Sequence, residues 1–452
     1  MRQVLGHYVA KSFVFLRLIE TLLLAMGCSV VLFYSFSGKE PTAATLAAFA
    51  GILSLGIIAL MHFGGLYRPD IKRTLWRSIL ITLPIFALAV WTTGELARHT
   101  SVPIYPYRWQ WTGALTGGWL LSAVLVRMMF QQFHRSGHLT RRVVLVGMDA
   151  HARRLDDLAR STHERFRIVG QFGGNSTNGE AGSPTALASF ASSLRASEVV
   201  VAIGKEVPPW GELAHCRVAG IRITDYLDFF ERESRRLCVD NLREDWIALS
   251  RGFEGSNSRE WRRRSFDVLL ALAGFVATAP VLLIVMLGIK LEDGGPVFYA
   301  QERIGFGGKP FVLYKLRSMR VDAERDGKPS WAAERDTRIT GVGRIIRKLR
   351  IDELPQLWNV LRGDMSFIGP RPERPYFVNQ FSQAIPFYDY RHVIRPGITG
   401  WAQVSFRYGA SLEDTRQKLS YDLYYIKNRG VFLDCLILLK TFGVILRGEG
   451  AR

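Results

Sequence analysis

The stretch Ser265–Leu291, SFDVLLALAGFVATAPVLLIVMLGIKL, constrains the fold of this chain more than any other. It is apolar over more than the roughly 20 residues that a helix needs to cross a bilayer. Pro280 lies near its centre, where a proline removes a backbone donor and kinks a helix. Basic residues flank both ends, at Arg262–Arg264 and from Lys290 onward, whereas a crossing helix favours them on one side. We predict a re-entrant membrane helix over residues 265–291, broken at Pro280, with a full crossing as the alternative.

Residues 1–135 contain four further apolar stretches that are long enough to span a membrane. They lie at Phe13–Phe36, Thr42–Phe63, Trp76–Thr93 and Trp111–Phe130. Lys and Arg are concentrated before the first stretch, between the second and third, and after the fourth, which places both ends in the cytoplasm. The prediction is an α-helical bundle of four spans. A buried core of helices is the alternative.

Residues 140–250 alternate between strand-like and helix-like segments, which is typical of an α/β, Rossmann-like module with a parallel sheet. The predicted strands are Arg142–Gly147, Arg167–Phe172, Glu198–Ile203 and Ile221–Thr224. The turn after the first strand lacks the second glycine of a dinucleotide-binding fingerprint, and the second strand ends without an acidic residue. We therefore expect a structural, oligomerising or regulatory module, followed by a linker over residues 251–264.

The chain has 452 residues and a formal net charge of +19, which indicates an anionic partner such as nucleic acid, phospholipid or a phosphorylated substrate. Its four cysteines are far apart in the sequence, so a disulfide framework and a thiolate zinc site are not expected. No Walker loop, H-E-x-x-H, G-x-S-x-G or kinase motif is present. The basic C-terminal part abuts a membrane segment, which favours phosphate chemistry on lipid.

The most informative stretch for chemistry is Lys348–Glu373, KLRIDELPQLWNVLRGDMSFIGPRPE. Helical spacing from Leu354, with a proline in the first turn, places Asp352 and Glu353 at a helix N-terminus, which favours anions. Asp352 alone would be interpreted as a helix cap. The adjacent pair, with Arg350 and Arg362 close in sequence, can instead hold a divalent cation and a diphosphate together.

Basic side chains near this pair are candidate phosphate ligands. The Gly-Pro-Arg-Pro turn presents Arg371 in a defined direction, and a guanidinium suits bidentate phosphate contact. Lys315 and Arg317 alternate as on a strand and therefore share one face. That face is either solvated or part of an anionic cleft.

These motifs resemble the bacterial polyprenyl-phosphate sugar-1-phosphate transferases, the monotopic phosphoglycosyl transferases. The similar stretches are Pro296–Met319, Thr340–Glu373, Arg395–Val404 (RPGITGWAQV) and Tyr421–Asn428 (YDLYYIKN). The four spans and the α/β module are similar to the larger members of this family. The resemblance implies an α+β catalytic domain at residues 265–452 that carries the re-entrant helix.

The resemblance also implies an activity, which is transfer of a hexose 1-phosphate from a UDP-hexose to undecaprenyl phosphate with release of UMP. Asp352 would be the nucleophile, Asp352 and Glu353 would bind Mg²⁺ (with Mn²⁺ as a substitute), and Asp364 would support the site. The residues expected to contact substrate phosphates are Lys315, Arg317, Arg371 and Arg303. The implied location is the bacterial inner membrane, multi-pass, with the catalytic domain facing the cytoplasm. The resemblance also implies that this reaction is the first membrane step of exopolysaccharide, capsule or O-antigen synthesis. The expected hexose is glucose or galactose.

Three other functions are compatible with parts of the sequence. A membrane glycosyltransferase would release UDP and would typically use a D-x-D motif, which is not found. A non-catalytic sensor of nucleotide sugars would leave the paired acids unexplained. A nucleic-acid binder would need basic and aromatic modules that are not found, so no nucleic acid is expected as a partner. A homodimer is plausible, and the apolar tail Val431–Arg447 either lies on the membrane or packs as a core helix.

Overall fold

The computed structural model describes residues 2–4, 7–9, 140–147, 149–161, 166–173, 185–203, 207–250, 252–253, 257–321, 336–406 and 411–446, with a few single positions. The four predicted membrane spans in residues 1–135 lie outside the described residues, apart from single helical positions. Strands β1 (Arg2–Val4) and β2 (His7–Val9) form a two-stranded sheet. The chain divides into two compact units between Phe229 and Phe230.

The first unit contains a four-stranded parallel sheet in the order β4-β3-β5-β6. Its strands are β3 (Arg141–Gly147), β4 (Phe166–Phe172), β5 (Glu198–Ala202) and β6 (Arg222–Asp225). Helices α1 (Asp149–Ser161), α2 (Ala186–Ser193) and α3 (Trp210–Val218) connect them, and α4 (Tyr226–Ser234) follows. All four strands lie within one residue of their predicted bounds. The two central strands, β3 and β5, are buried valine-rich runs, as expected of parallel strands that are covered on both faces.

The second unit combines helices with two small sheets. Its helices are α5 (Glu244–Leu249), α6 (Asn257–Asp293), α7 (Gly341–Lys348), α8 (Gln356–Arg362), α9 (Pro375–Ala384), α10 (Trp401–Ser405), α11 (Leu412–Asn428) and α12 (Val431–Leu446). Strands β7 (Phe298–Ile304) and β8 (Pro310–Leu316) form an antiparallel hairpin. The short strands β9 (Ser366–Ile368) and β10 (Gly397–Thr399) pair in parallel.

Helix α6 runs without interruption through Pro280, so the predicted helix–break–helix is wrong in this respect. A proline removes one backbone donor, and the neighbouring turns of a long helix preserve its continuity. The helix also begins at Asn257, inside the segment predicted as a linker. Residues Glu260–Asp293 are long and apolar enough to cross a membrane, and this is the one such helix in the part of the chain that the structure describes.

Both halves of α6 pack on the same unit. In the N-terminal half, Ala271 is buried with Leu357 and Val360 of α8. In the C-terminal half, Ile289 is buried with Leu316 and Ile346. The opposite side of the helix exposes large apolar residues along its whole length, namely Trp261, Leu269, Leu272, Val276, Leu283, Ile284, Leu287 and Leu291. A soluble surface rarely leaves so long an apolar stripe uncovered.

Arg263 and Arg264, which precede the apolar segment, bind other residues of the second unit. Arg264 donates to the carbonyls of Val360 and Leu361 (2.5 Å for Leu361), which lie in the last turn of helix α8; Val360 O also accepts from Gly363 N at 3.1 Å. Arg263 donates to Asp434 of α12 at 3.2 Å. These residues therefore anchor the start of α6 instead of forming an extended linker.

Residues 230–250 were predicted as the end of the α/β module, but they pack within the second unit. Buried Glu231 accepts from Lys427 (2.5 Å) and from Asn428 (2.6 Å) at the end of α11. The indole nitrogen of Trp401 donates to the carbonyl of Arg235 at 2.9 Å. The alternation of strands and helices does not reveal on which body a helix face packs, so this placement needed the structure.

The C-terminal tail is a packed helix. Leu433 and Ile437 of α12 are fully buried, and the hydroxyls of Thr441 and Thr399 lie 2.7 Å apart. Val431 and Phe442 remain exposed on its other side. Of the two interpretations of this tail, the structure supports packing within the second unit.

Candidate active site

The carboxylate pair lies in a short 3₁₀ turn, Ile351–Glu353, between α7 and α8. Both side chains are buried, with residue exposures of 8% for Asp352 and 9% for Glu353. The residue that caps α8 is Pro355, so Asp352 does not serve as the helix cap. Its side chain is thus available for another purpose.

Three cations converge on one oxygen of Glu353. Arg371 Nη2 lies 2.7 Å from Glu353 Oε1, Arg350 Nη1 lies 3.5 Å from it, and Lys315 Nζ lies 3.6 Å from it. Burial alone would raise the pKa of Glu353, but Arg371 and Lys315 hold that pKa well below its usual range. Glu353 is therefore a fixed negative charge at the centre of a basic cluster.

Asp352 is in a different state from its neighbour. Within the described residues its carboxylate takes part in no hydrogen bond or salt bridge. Burial, and then the charge of Glu353, raise the pKa of Asp352, while Lys315 and Arg347 oppose the rise. Three cations hold Glu353, whereas Asp352 is weakly solvated and is held by no hydrogen bond or salt bridge within the described residues; we call Asp352 unclamped. This is the arrangement expected of a nucleophile (Asp352) beside a supporting acid (Glu353).

The hairpin β7–β8 supplies the basic wall. Lys315 pairs with Tyr299 across the hairpin and faces Glu353. Arg317 follows the strand and forms a salt bridge with Asp293 at the end of α6. Arg303 donates to the carbonyl of Pro372 at 3.1 Å, and burial lowers its pKa to about 10.

The parallel pair β9–β10 positions Arg371. Gly369 N donates to Thr399 O, and Gly397 N donates to Pro370 O, both at 2.9 Å. These bonds tie the Gly-Pro-Arg-Pro turn to the RPGITG stretch, although the two are separated in sequence. The turn therefore cannot move without disturbing the strand pair.

One cavity of about 510 Å³ collects most of the predicted site residues. Those lining it are Asp352, Glu353, Lys315, Arg317, Arg371 and Arg303. Asp364 does not line it; it lies 3.4 Å from Arg362 and accepts from Asn359 at the same distance. Asp364 is therefore placed to support the end of α8 and not to touch a ligand in the cavity.

Sequence reasoning missed a second buried ion pair in the cavity wall. Arg391 Nη2 donates to Asp422 at 3.1 Å and to the carbonyl of Arg371 at 2.8 Å, and Arg391 Nη1 donates to Tyr388 at 2.5 Å. Burial raises the pKa of Asp422 to about 6, against the opposing effect of Arg391. A lone aspartate within the apolar run YDLYYI was the signal that could have indicated a buried acid.

The number of acidic side chains in the site decides how Mg²⁺ would be bound there. The described residues contain no cluster of three or more His, Cys, Asp or Glu side chains that could hold a metal by themselves. Mg²⁺ is commonly bound by one or two carboxylates together with substrate phosphates. The adjacent acids Asp352 and Glu353 fit that mode, because a cation would offset the repulsion between them that contributes to the raised pKa of Asp352.

Comparison with known proteins identifies the family of this chain. Residues 258–448 match the bacterial sugar transferase family. An uncharacterised sugar transferase of Bacillus subtilis is 42% identical over 188 residues, which cover 42% of this chain and 89% of that protein. The chain belongs to the bacterial sugar transferase family. The family segment contains α6, the carboxylate pair and the whole cavity lining.

Two other relatives in the bacterial sugar transferase family carry more specific names. The UDP-N-acetylgalactosamine-undecaprenyl-phosphate N-acetylgalactosaminephosphotransferase of Aeromonas hydrophila is 46% identical over 240 residues, or 53% of this chain and 56% of that protein. The UDP-glucose:undecaprenyl-phosphate glucose-1-phosphate transferase of Caulobacter vibrioides is 44% identical over 193 residues, or 42% of this chain and 72% of that protein. The chain therefore spans little more than half the length of the Aeromonas relative.

Proposed function

We propose that this protein transfers a hexose 1-phosphate from a UDP-sugar to undecaprenyl phosphate, which releases UMP and forms an undecaprenyl-diphosphate-sugar. The observation that carries the proposal is the unclamped Asp352 beside Glu353, which three cations hold at one wall of a cavity. The names of the Aeromonas and Caulobacter relatives support the same acceptor. Those names differ in the sugar, so the hexose is left to experiment.

The proposed chemistry has two steps. An Asp352 carboxylate oxygen bonds to the sugar-side phosphorus of the UDP-sugar, and the bond from that phosphorus to the UMP oxygen breaks. A phosphate oxygen of undecaprenyl phosphate then bonds to the same phosphorus, and Asp352 leaves as a carboxylate. Burial favours the first step, because a weakly solvated carboxylate is a better nucleophile than a hydrated one.

Basic residues take the negative charge of the diphosphate. Lys315 and Arg371 line the cavity next to the carboxylates and are placed to bind phosphate oxygens, while Arg303 fixes the turn that carries Arg371. A Mg²⁺ ion held by Asp352, Glu353 and the substrate would supply further charge neutralisation for the leaving phosphate. Mn²⁺ is expected to replace it.

The membrane placement is also part of the proposal. Both halves of α6 pack on one unit, so a bilayer crossing would have to separate surfaces that are packed together. In the proposed placement α6 bends at Pro280, and its two ends lie on the same face of the membrane. This leaves the exposed apolar stripe in lipid and the cavity at the interface, where a nucleotide sugar and a lipid phosphate can meet. The proposed location is the cytoplasmic face of the bacterial inner membrane, at the first membrane step of exopolysaccharide, capsule or O-antigen synthesis. The homodimer stays a prediction.

The test is nucleotide release. The full-length protein is incubated with undecaprenyl phosphate, Mg²⁺ and a panel of UDP-sugars (glucose, galactose and their N-acetyl forms), and UMP is separated from UDP. We expect UMP with one sugar, dependent on the lipid. Asp352→Asn should lower the rate by at least about a thousandfold, while the matched change Asp245→Asn, on an exposed helix, should leave it unchanged.

Other products would contradict the proposal. UDP as the released nucleotide would indicate a glycosyltransferase. Normal turnover in Asp352→Asn would remove the nucleophile assignment. The absence of both nucleotides across the panel, with folded protein, would favour the nucleotide-sugar sensor.

A further inference from the structure

Arg350 has a left-handed backbone, with φ 59° and ψ 19°, directly ahead of the carboxylate pair. Backbone hydrogen bonds hold it on both sides: Arg350 N donates to Arg347 O at 3.2 Å, and Glu353 N donates to Arg350 O at 3.3 Å. A residue with a Cβ atom adopts this conformation at a steric cost that glycine does not bear. The chain thus carries an arginine where the backbone alone would favour glycine.

The side chain of Arg350 reaches the cavity. It lines the cavity wall, and its Nη1 lies 3.5 Å from Glu353 Oε1. Arg371 already holds the same oxygen through a shorter 2.7 Å hydrogen bond, with Lys315 at 3.6 Å. Holding Glu353 therefore does not account for a third cation at a strained position.

The charges that line the cavity indicate a role for Arg350, the third cation beside Glu353. Arg350, Arg371 and Lys315 face two carboxylates, Asp352 and Glu353, so these five groups leave one positive charge in excess. The side chain of Glu353 is 10% exposed and that of Lys315 is 20% exposed, so water compensates only part of this excess. An anionic ligand in the cavity would balance it.

We propose that Arg350 is a further phosphate-binding residue, whose strained backbone holds its guanidinium in the cavity wall beside Glu353. The group it binds is a phosphate of a substrate of the proposed reaction, either the diphosphate of the nucleotide sugar or the phosphate of the lipid. Strained backbone conformations concentrate at sites where they hold a functional group in place. The sequence placed Arg350 close to the carboxylate pair, whereas the resemblance assigned the phosphate contacts to other residues, Lys315 and Arg371 among them.

The experiment compares equilibrium binding to the full-length protein with Mg²⁺ present. The probes are inorganic pyrophosphate, UDP and undecaprenyl phosphate in detergent micelles. The variants are Arg350→Gly, which removes the charge and relieves the strain, and Arg350→Lys, which keeps the charge without the planar fork. The matched control is Arg195→Gly, because Arg195 has the same left-handed conformation (φ 49°) on an exposed turn of the first unit.

We expect Arg350→Gly to weaken pyrophosphate binding by at least about tenfold, as for the loss of a charge-assisted hydrogen bond. Its thermal midpoint should be unchanged or higher, since glycine relieves the strain. Arg350→Lys should lose a smaller factor, and Arg195→Gly should bind as the native protein does. A parallel loss with UDP identifies the donor as the source of the phosphate, and a parallel loss with undecaprenyl phosphate identifies the acceptor.

Native-like pyrophosphate binding by Arg350→Gly would overturn the inference, as would failure of the native protein to bind pyrophosphate. Because these measurements need no turnover, they are independent of the UMP assay. A protein that releases no UMP but loses pyrophosphate affinity in Arg350→Gly would contradict the proposed reaction and still support the phosphate site.

Discussion

Gly369→Ala tests how tightly the Gly-Pro-Arg-Pro turn is held. A Cβ atom at Gly369 would lie 2.8 Å from Gly397 N and closer still to Arg395 O, both of them backbone atoms. Favourable van der Waals contact begins at about 3.5 Å and Arg395 O is the nearer atom, so the turn must move away from residues 395–397 by about 1 Å. That shift weakens the backbone bonds between the turn and β10, and we expect a loss of about 1–3 kcal/mol in the free energy of unfolding.

The same shift should reach the active site. Arg371 is two residues from Gly369 and binds Glu353 at 2.7 Å, so a displacement of this size takes it out of hydrogen-bond range. We expect kcat/KM for UMP release to fall by about ten- to a hundredfold. The assays are initial rates of UMP release and thermal unfolding of the same preparations.

The matched control for this prediction is Gly211→Ala. Gly211 lies in helix α3 of the first unit, and a Cβ atom there would meet nothing within 4 Å. This variant should unfold at the native temperature or slightly above and should keep native rates. If Gly369→Ala retained native stability and native kcat/KM, the claim that the β9–β10 pairing positions Arg371 would be refuted.

The buried pair Arg391–Asp422 supports two further predictions. The pKa of Asp422 rises from 3.8 to about 6 on folding, so the folded state binds a proton more tightly and loses about 3 kcal/mol of stability as pH rises through that window. Asp422→Asn should therefore flatten the dependence of the thermal midpoint on pH between 4 and 6; an unchanged slope would exclude Asp422 as its source. Arg391→Met leaves Asp422 without its partner and should cost about 3–5 kcal/mol at pH 8 and less at pH 5, measured by denaturant unfolding. Equal losses at the two pH values would contradict this assignment.

The features that the sequence predicted correctly are local. The strands of the parallel sheet are short runs with apolar β-branched residues, and such runs can be recognised from a few neighbouring residues. The placement of Asp352 and Glu353 just before a helix depended on Pro355 and on the apolar spacing that follows it. The match to long, ordered family stretches indicated the class of enzyme.

The features that the sequence predicted poorly depend on distant partners. The basic residues before the apolar segment were interpreted as a linker, but Arg264 belongs to helix α6 and caps the end of helix α8. Pro280 was expected to break a helix that in fact continues through it. Asp422 gave only the local signal of an acid within an apolar run, and its pairing with Arg391 was not predictable because the two lie on different elements and meet only when those elements pack.

The sequence by itself determined the four strands of the parallel sheet and the helix after Glu353, because backbone preference and apolar periodicity act over a few residues. It also determined which acids and bases were present near the helix that follows Glu353. Only the tertiary structure decided that the basic side chains of the β7–β8 hairpin, of residue 350 and of the Gly-Pro-Arg-Pro turn approach a single oxygen of Glu353 and leave Asp352 unclamped. The physical reason is that electrostatic environment depends on distance in space and on burial, and neither is encoded in the spacing of residues along the chain.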